Sequence, residues 1–146
     1  MTDCNETFQH NIGYKFKSPI LMQEALRASN MSEGSIDLTG NKRLALVGDS
    51  VLSVMLLNRW YGKGGSTVEE GDLILQKHAC NKILDAKGQE WSLDKFITTH
   101  PAQKGEVSKG VRASTVEAII GAVWLDSFKN AAEVDRVIDI LGLYDD

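Results

Sequence analysis

The chain has 146 residues, a length that suits one domain with a single hydrophobic core. Apolar residues make up 42% of it and charged residues 25%, proportions typical of a globular protein and not of a disordered one. The formal net charge of −4 argues against a protein that holds nucleic acid by bulk positive charge. Binding to RNA would need a local basic patch, or metal ions between acids and phosphates.

The amino-terminal residues and the two cysteines bear on the compartment. The first seven residues are polar and acidic and resemble neither a signal peptide nor an arginine-rich transit peptide. Cys4 and Cys80 do not form a disulfide framework, and no apolar run is long enough to span a membrane. The sequence therefore predicts an intracellular, cytoplasmic protein without a membrane segment, and leaves a nuclear or mitochondrial location open.

The hydrophobic pattern predicts an all-α fold, because no stretch alternates with a period of two. Residues 1–10 are predicted to be a loose lead-in, and residues 11–146 the folded domain. A first helix begins at Ser18-Pro19, where proline suits the first helical position. Further helices are predicted over residues 43–60, 68–86, 93–98, 112–127 and 130–141, with loops over 29–40 and 100–105.

Two of these helices are apolar on nearly every face, yet each contains one internal carboxylate, Asp49 or Glu117. A buried acid needs a partner, so each acid either meets a basic side chain at a helix edge or points into a polar cleft. Three arginines are available as partners: Arg43, Arg59 and Arg112. Lone acids in the two most apolar helices favour a shared cleft. Gly48 and Gly121 favour a close approach of those helices.

Four ordered motifs resemble the ribonuclease III family. They are an opening helix near residues 12–26, a signature over 41–52, an acidic motif over 70–73 with Asn81 beyond it, and a later helix over 113–126. The match spans roughly residues 10–140, and the wording of the signature is most similar to a fungal branch. No residues remain for the double-stranded-RNA-binding domain that often follows.

This resemblance implies the ribonuclease III endonuclease-domain fold and a symmetric homodimer. Leu46 stands where the family often has an interface phenylalanine, so we expect Leu46 at the dimer interface. The resemblance also implies cleavage of double-stranded RNA by a hydrolytic mechanism in which carboxylates hold Mg²⁺, or Mn²⁺ in its place.

Carried over residue by residue, the resemblance implies a depleted metal site. Asp49 and Glu117 match retained catalytic and metal-binding acids, whereas Ala45 and Ser114 occupy positions where the family has acids. A serine hydroxyl can still ligate Mg²⁺, so Ser114 stays a candidate ligand. At an outer acidic position the chain has Lys42.

One further acid, Glu70, matches a family residue implicated near the metals. With two of four core acids replaced, we expect a weakly held cation and cleavage that is absent or very slow, as in a pseudoenzyme. The sequence leaves open whether the chain is an enzyme.

Basic residues near Glu117 offer two interpretations. Lys104, Lys109 and Arg112 could line a path for RNA phosphates or could form a solvated rim, and the sequence favours neither. An alternative function is a non-catalytic scaffold that binds RNA or a protein partner within a ribonucleoprotein. Fold alone does not decide between these functions.

Overall fold

The computed structural model of the chain describes residues 3–28, 39–99 and 109–144. Across these ranges the structure contains α-helices and no β-strand, which confirms the predicted all-α class. A 3₁₀ helix over Leu93–Lys95 precedes the sixth helix. The helices are α1 (Cys4–Ile12), α2 (Pro19–Ala25), α3 (Lys42–Gly62), α4 (Val68–Ala79), α5 (Asn81–Glu90), α6 (Lys109–Asp126) and α7 (Ala131–Ile140).

The first helix corrects the prediction of a loose lead-in over residues 1–10, which is wrong from Cys4 onward. The Asp3 side chain caps α1 by accepting a hydrogen bond from the backbone N–H of Asn5. Phe8 and Ile12 lie one helical turn apart and are both fully buried in the core. Only these two residues anchor the helix, so its apolar stripe is too short to stand out in the sequence.

The predicted helix over residues 68–86 is two helices. The backbone of Cys80 is extended, with ψ at 120°, and it separates α4 from α5. Neither glycine nor proline lies at this break, so the usual sequence signal for the end of a helix is missing. Because of this break, a separate helix, α5, begins at Asn81, and its first residue lines the cavity described below.

Helices α3 and α6 form the centre of the fold and pack with their backbones in contact. A Cβ atom at Gly48 would lie 1.7 Å from the carbonyl oxygen of Glu117, and one at Gly121 would lie 2.2 Å from that of Leu44. Glycine is therefore required at both positions, which confirms the predicted close approach. Although these helices are the most apolar, no helix in the described ranges is long and apolar enough to cross a membrane.

A buried carboxylate at the end of α6 fastens the amino-terminal part of the chain to this centre. Asp126 accepts hydrogen bonds from the Tyr14 hydroxyl at 2.7 Å and from the backbone N–H groups of Lys17 and Ser18 at 2.8 Å. Burial, and then the hydrogen bond to Asp126, raise the pKa of Tyr14. The short segment before α2 is thus held against the carboxyl-terminal end of α6.

Candidate active site

A cavity of about 540 Å³ opens between the amino-terminal halves of α3 and α6. Its volume lies within the range of ordinary ligand pockets. The walls come from α3 (Asn41 at its cap, Lys42, Ala45, Leu46, Asp49), from α6 (Gly110, Val111, Ser114, Glu117) and from Asn81 at the start of α5. We call this cavity the cleft. It contains both acids that the sequence predicted to share one polar site.

Asp49 and Glu117 both line the cleft, one from each central helix. Asp49 is exposed, whereas Glu117 is partly buried. Burial first, and then the nearby Asp49 side chain through hydrogen bonding and charge, raise the pKa of Glu117 to about 8. Near neutral pH the Glu117 carboxyl therefore keeps its proton most of the time.

The alternative arrangement, in which each acid is paired with an arginine, does not occur. The arginines considered as partners bind elsewhere: Arg43 faces Glu24 at 3.6 Å, Arg59 stacks on the Tyr144 ring at 4.1 Å, and Arg112 bridges Asp85 at 2.6 Å. The close crossing of α3 and α6 brings the two acids to each other instead. The structure thus agrees with the cleft interpretation of these two residues.

A buried amide organises the wall that contains Ser114. Asn41 is 1% exposed, and its Nδ2 donates to the carbonyl oxygen of Ala25 and to the hydroxyl oxygen of Thr115, both at 2.9 Å. Its Oδ1 accepts from the Ser114 hydroxyl at 2.9 Å. The carbonyl oxygen of Ala25 can only accept a hydrogen bond, so the nitrogen of the Asn41 amide must face it. The amide therefore cannot be reversed, and Oδ1 must face Ser114.

The donor set of the cleft does not fit a tightly bound metal centre. Ala45 offers no oxygen, and the proton of the Ser114 hydroxyl is directed at Asn41. Among the residues that the structure describes, no group of three or more histidine, cysteine, aspartate or glutamate side chains could hold a metal ion. Asp49 and Glu117 alone would leave most of the coordination sphere of Mg²⁺ to water.

Glu70 lies apart from these acids within the same chain. It forms a capping box with Thr67 at the start of α4, where its carboxylate accepts from the Thr67 hydroxyl at 2.9 Å and from the Ser66 hydroxyl at 3.0 Å. These hydrogen bonds, with Thr67 contributing most, lower the pKa of Glu70. Glu70 was predicted as a metal ligand together with Asp49 and Glu117, but it does not line the cleft. It caps helix α4 instead.

Of the three basic residues that were candidates for RNA contact or for a solvated rim, Arg112 fits neither interpretation. The residue is 7% exposed, and its side chain lies between Asp85 and Asp94, with nitrogen–oxygen distances of 2.6 Å and 3.1 Å. It therefore joins α5 and the 3₁₀ helix to α6 and is not available to a phosphate. Lys109 is the first residue of α6, and Lys104 falls outside the described residues.

Leu46 stands on the solvent-facing side of α3 and is 72% exposed. Two more exposed apolar side chains of α3, Val54 and Tyr61, lie at helical spacing beyond it, and α4 adds Val68 and Leu73. Large exposed apolar surfaces on a folded chain are typical of interaction sites. The position of Leu46 is thus compatible with the predicted interface role.

The sequence does not reveal the polar contacts of Asn41 or the aspartates that pair with Arg112. The position of Asn41 directly before α3 suggests a helix cap, but its side chain makes no cap hydrogen bond and instead contacts Ala25, Thr115 and Ser114. The ion pairs of Arg112 had no such signal, since they join residues 18 and 27 positions apart.

The raised pKa of Glu117 gives the metal-free protein a pH-dependent stability. The raised pKa of Glu117 means that the folded state binds more protons than the unfolded state between pH 4.5 and about 8. The free energy of unfolding therefore falls as the pH rises through this window. Partial exposure screens the effect, so we expect a loss of about 1 to 2 kcal/mol between pH 5 and pH 9.

Urea denaturation in a chelating buffer measures this effect. Glu117→Gln removes the titrating group but keeps an uncharged hydrogen-bond donor, and should remove most of the slope, whereas Glu133→Gln, at a half-exposed position on α7, should retain it. Equal slopes in the wild type and in Glu117→Gln would contradict the assignment.

The fold and the cleft define a class of protein: an all-helical nuclease-type domain with acids paired across two central helices. Residues 19–138 match the ribonuclease-III-like family, and the chain belongs to that family. The curated relatives include Ribonuclease 3 of Idiomarina loihiensis, 34% identical over 80% of this chain and 50% of the relative. Ribonuclease 3 of Photobacterium profundum is 32% identical over 94% of this chain and 60% of the relative.

The fold is similar to that of a solved nuclease domain. The nuclease domain of Ribonuclease III from Campylobacter jejuni superposes with a TM-score of 0.80 at 20% sequence identity, covering 93% of this chain and 94% of that chain. That structure is described as showing flexibility in a region involved in dimer formation. The present chain spans about half the length of the curated relatives it matches.

Proposed function

We propose that this chain is a ribonuclease III-like domain that binds double-stranded RNA and cleaves it weakly or not at all. Membership of the family and the meeting of Asp49 with Glu117 support the site. The weak cleavage is proposed because of the composition of the cleft. Ala45 and Ser114 line it beside Asp49 and Glu117 but contribute no carboxylate. Two acids, one of which has a raised pKa, form a much weaker cage for a divalent cation than four.

The proposed metal chemistry is correspondingly limited. When bound in enzymes of this kind, Mg²⁺ activates a water molecule and stabilises charge on the scissile phosphate. Asp49 and Glu117 are the residues that would hold Mg²⁺ or Mn²⁺ here, and binding would have to displace the proton of Glu117. With this donor set we propose a role in RNA binding or processing in which cleavage by this chain is minor.

We also propose a homodimer in which Leu46 lies at the interface. The support is the exposure of Leu46 and of other apolar side chains on α3 and α4, which are Val54, Tyr61, Val68 and Leu73. A two-fold axis would bury the same face of both copies. A fungal-like branch of the family and an intracellular, cytoplasmic location remain proposals too. The first rests on the wording of the signature, and the second on two exposed cysteines, Cys4 and Cys80, that are both free thiols.

A cleavage assay on long duplex RNA tests the proposed function. We expect the wild type to cut slowly or not at all with Mg²⁺, and a Lys42→Glu, Ala45→Glu, Ser114→Asp variant to cut faster by about two orders of magnitude. The three introduced acids supply the metal ligands that the wild-type cleft lacks. Replacing Mg²⁺ with Mn²⁺ should therefore raise the cleavage rate of the wild type more than that of the variant. Initial cleavage rates measured for both proteins with each metal give the comparison.

The double variant Lys42→Glu, Ala45→Glu is the matched control. An aspartate at position 114 would face Oδ1 of Asn41 and would lose the hydrogen bond that serine donates, so its benefit could be reduced by local strain. Efficient cleavage by the wild type, abolished by Asp49→Ala, would contradict the proposed depletion.

A second candidate function is a protein-binding scaffold. The net charge of −4 and the internal position of Arg112 favour it, because both reduce the positive surface available to RNA. Filter binding of duplex RNA at low salt separates the two functions. Absence of binding with and without Mg²⁺ would favour the scaffold.

A further inference from the structure

We infer that the cleft binds a phosphate group of the RNA backbone directly through Lys42, without a divalent cation between protein and phosphate. This inference rests on the proposed function and specifies how its RNA is held. Lys42 is exposed and lines the cleft, so its ammonium group can reach a ligand there. A lysine ammonium pairs with phosphate as a compact point charge.

The charges in the cleft allow an anion to enter. Among the lining residues that the structure describes, Asp49 and Glu117 are the acids and Lys42 is the basic residue. Lys42 therefore neutralises at least half of the carboxyl charge. Carboxylates at positions 45 and 114 would repel a phosphate unless metal ions lay between them. Ala45 and Ser114 have no such charge, so this repulsion is absent.

The positive and negative groups stand at different ends of the cleft. Lys42 and Asp49 are seven residues apart on α3, which places their backbone positions about 10 Å apart along the helix axis. Glu117 contacts Asp49, so the whole carboxyl pair lies toward the far end. A phosphate bound at Lys42 therefore lies beside donors and away from both acids.

The cleft contains hydrogen-bond donors besides the Lys42 ammonium group. The exposed amide of Asn81 lines it, and so does Gly110 in the first turn of α6. Helices α3 and α5 both begin at the cleft and have no side-chain cap hydrogen bond at their amino termini. These helix ends add partial positive charge to a site already defined by the Lys42 and Asn81 side chains.

Fluorescence anisotropy with labelled duplex RNA in the presence of a chelator tests the inference on the full chain. We expect the wild type to bind, and Lys42→Met to bind about tenfold more weakly, because one charge-assisted contact is lost. Lys42→Glu should bind more weakly still. Lys42→Met should also reduce the slope of log K against log salt by about 1.

Lys15→Glu is the matched control, because it makes the same charge change as Lys42→Glu at an exposed position outside the cleft. Equal affinities of Lys42→Glu and Lys15→Glu in chelator would overturn the inference. Binding of the wild type that appears only with Mg²⁺ would overturn it as well, while leaving the proposed function in place. Failure of the wild type to bind duplex RNA in either condition would reject both.

Discussion

Replacing Gly48 with alanine should destabilise the protein by about 4 kcal/mol or more, enough to unfold a domain of ordinary stability. The added Cβ would lie 1.7 Å from the carbonyl oxygen of Glu117 and 2.9 Å from the backbone nitrogen of Gly121. Both obstacles are backbone atoms inside α6, so no side chain can rotate away. The two central helices would have to separate, which would also open contacts along the rest of their crossing.

Two glycines of the same helices provide matched controls. A Cβ at Gly62 in α3, or at Gly110 in α6, would meet no atom within 4 Å. Alanine is the better helix former, so Gly62→Ala and Gly110→Ala should be neutral or slightly stabilising, by at most about 1 kcal/mol. Thermal and urea denaturation of the set measures the difference. A Gly48→Ala protein as stable as Gly62→Ala would show that α3 and α6 do not cross here.

Features of the fold that depend on long periodic segments were predictable from the sequence. Helices α3 and α6 stood out because they are long and almost wholly apolar, and their interior glycines indicated contact. Helix α1 was missed because only Phe8 and Ile12 anchor it. The break at Cys80 was missed because tertiary packing, and not a glycine or proline, sets its extended backbone.

The same distinction applies to the site. Asp49 and Glu117 could be predicted to share a cleft, because isolated acids in apolar helices need a common polar space. The placement of Glu70 and Arg112 could not be predicted, since a motif gives a residue's order along the chain and not the direction of its side chain. Glu70 caps its own helix, and Arg112 points toward Asp85 on α5 and is not among the residues that line the cleft.

The internal position of Arg112 leads to the second large effect. Arg112→Met should lower the free energy of unfolding by about 3 to 5 kcal/mol, because it leaves the buried Asp85 carboxylate without its partner. Asp85 is 4% exposed and accepts from Arg112 at 2.6 Å and from Gln89 at 3.0 Å. Only the weaker, neutral donor would remain to offset the buried charge.

An exposed ion pair with the same separation provides the control. Arg136 and Glu133 on α7 also lie 2.6 Å apart, but their side chains are 50% and 37% exposed, against 9% and 6% for Arg112 and Asp85. Arg136→Met should therefore cost less than about 1 kcal/mol. Similar losses for the two methionine variants would mean that water reaches Asp85 and that the pair is not internal.

The double variant Arg112→Met, Asp85→Leu separates the loss of attraction from the cost of an unpaired charge. Apolar replacement of both partners removes the buried charge, so we expect the double variant to be more stable than Arg112→Met alone. Its duplex RNA binding should match that of the wild type, because Arg112 is directed at Asp85 and Asp94 and not at the cleft. Loss of RNA binding in this folded double variant would indicate that Arg112 contacts RNA phosphates, which is one of the two interpretations that the sequence allowed.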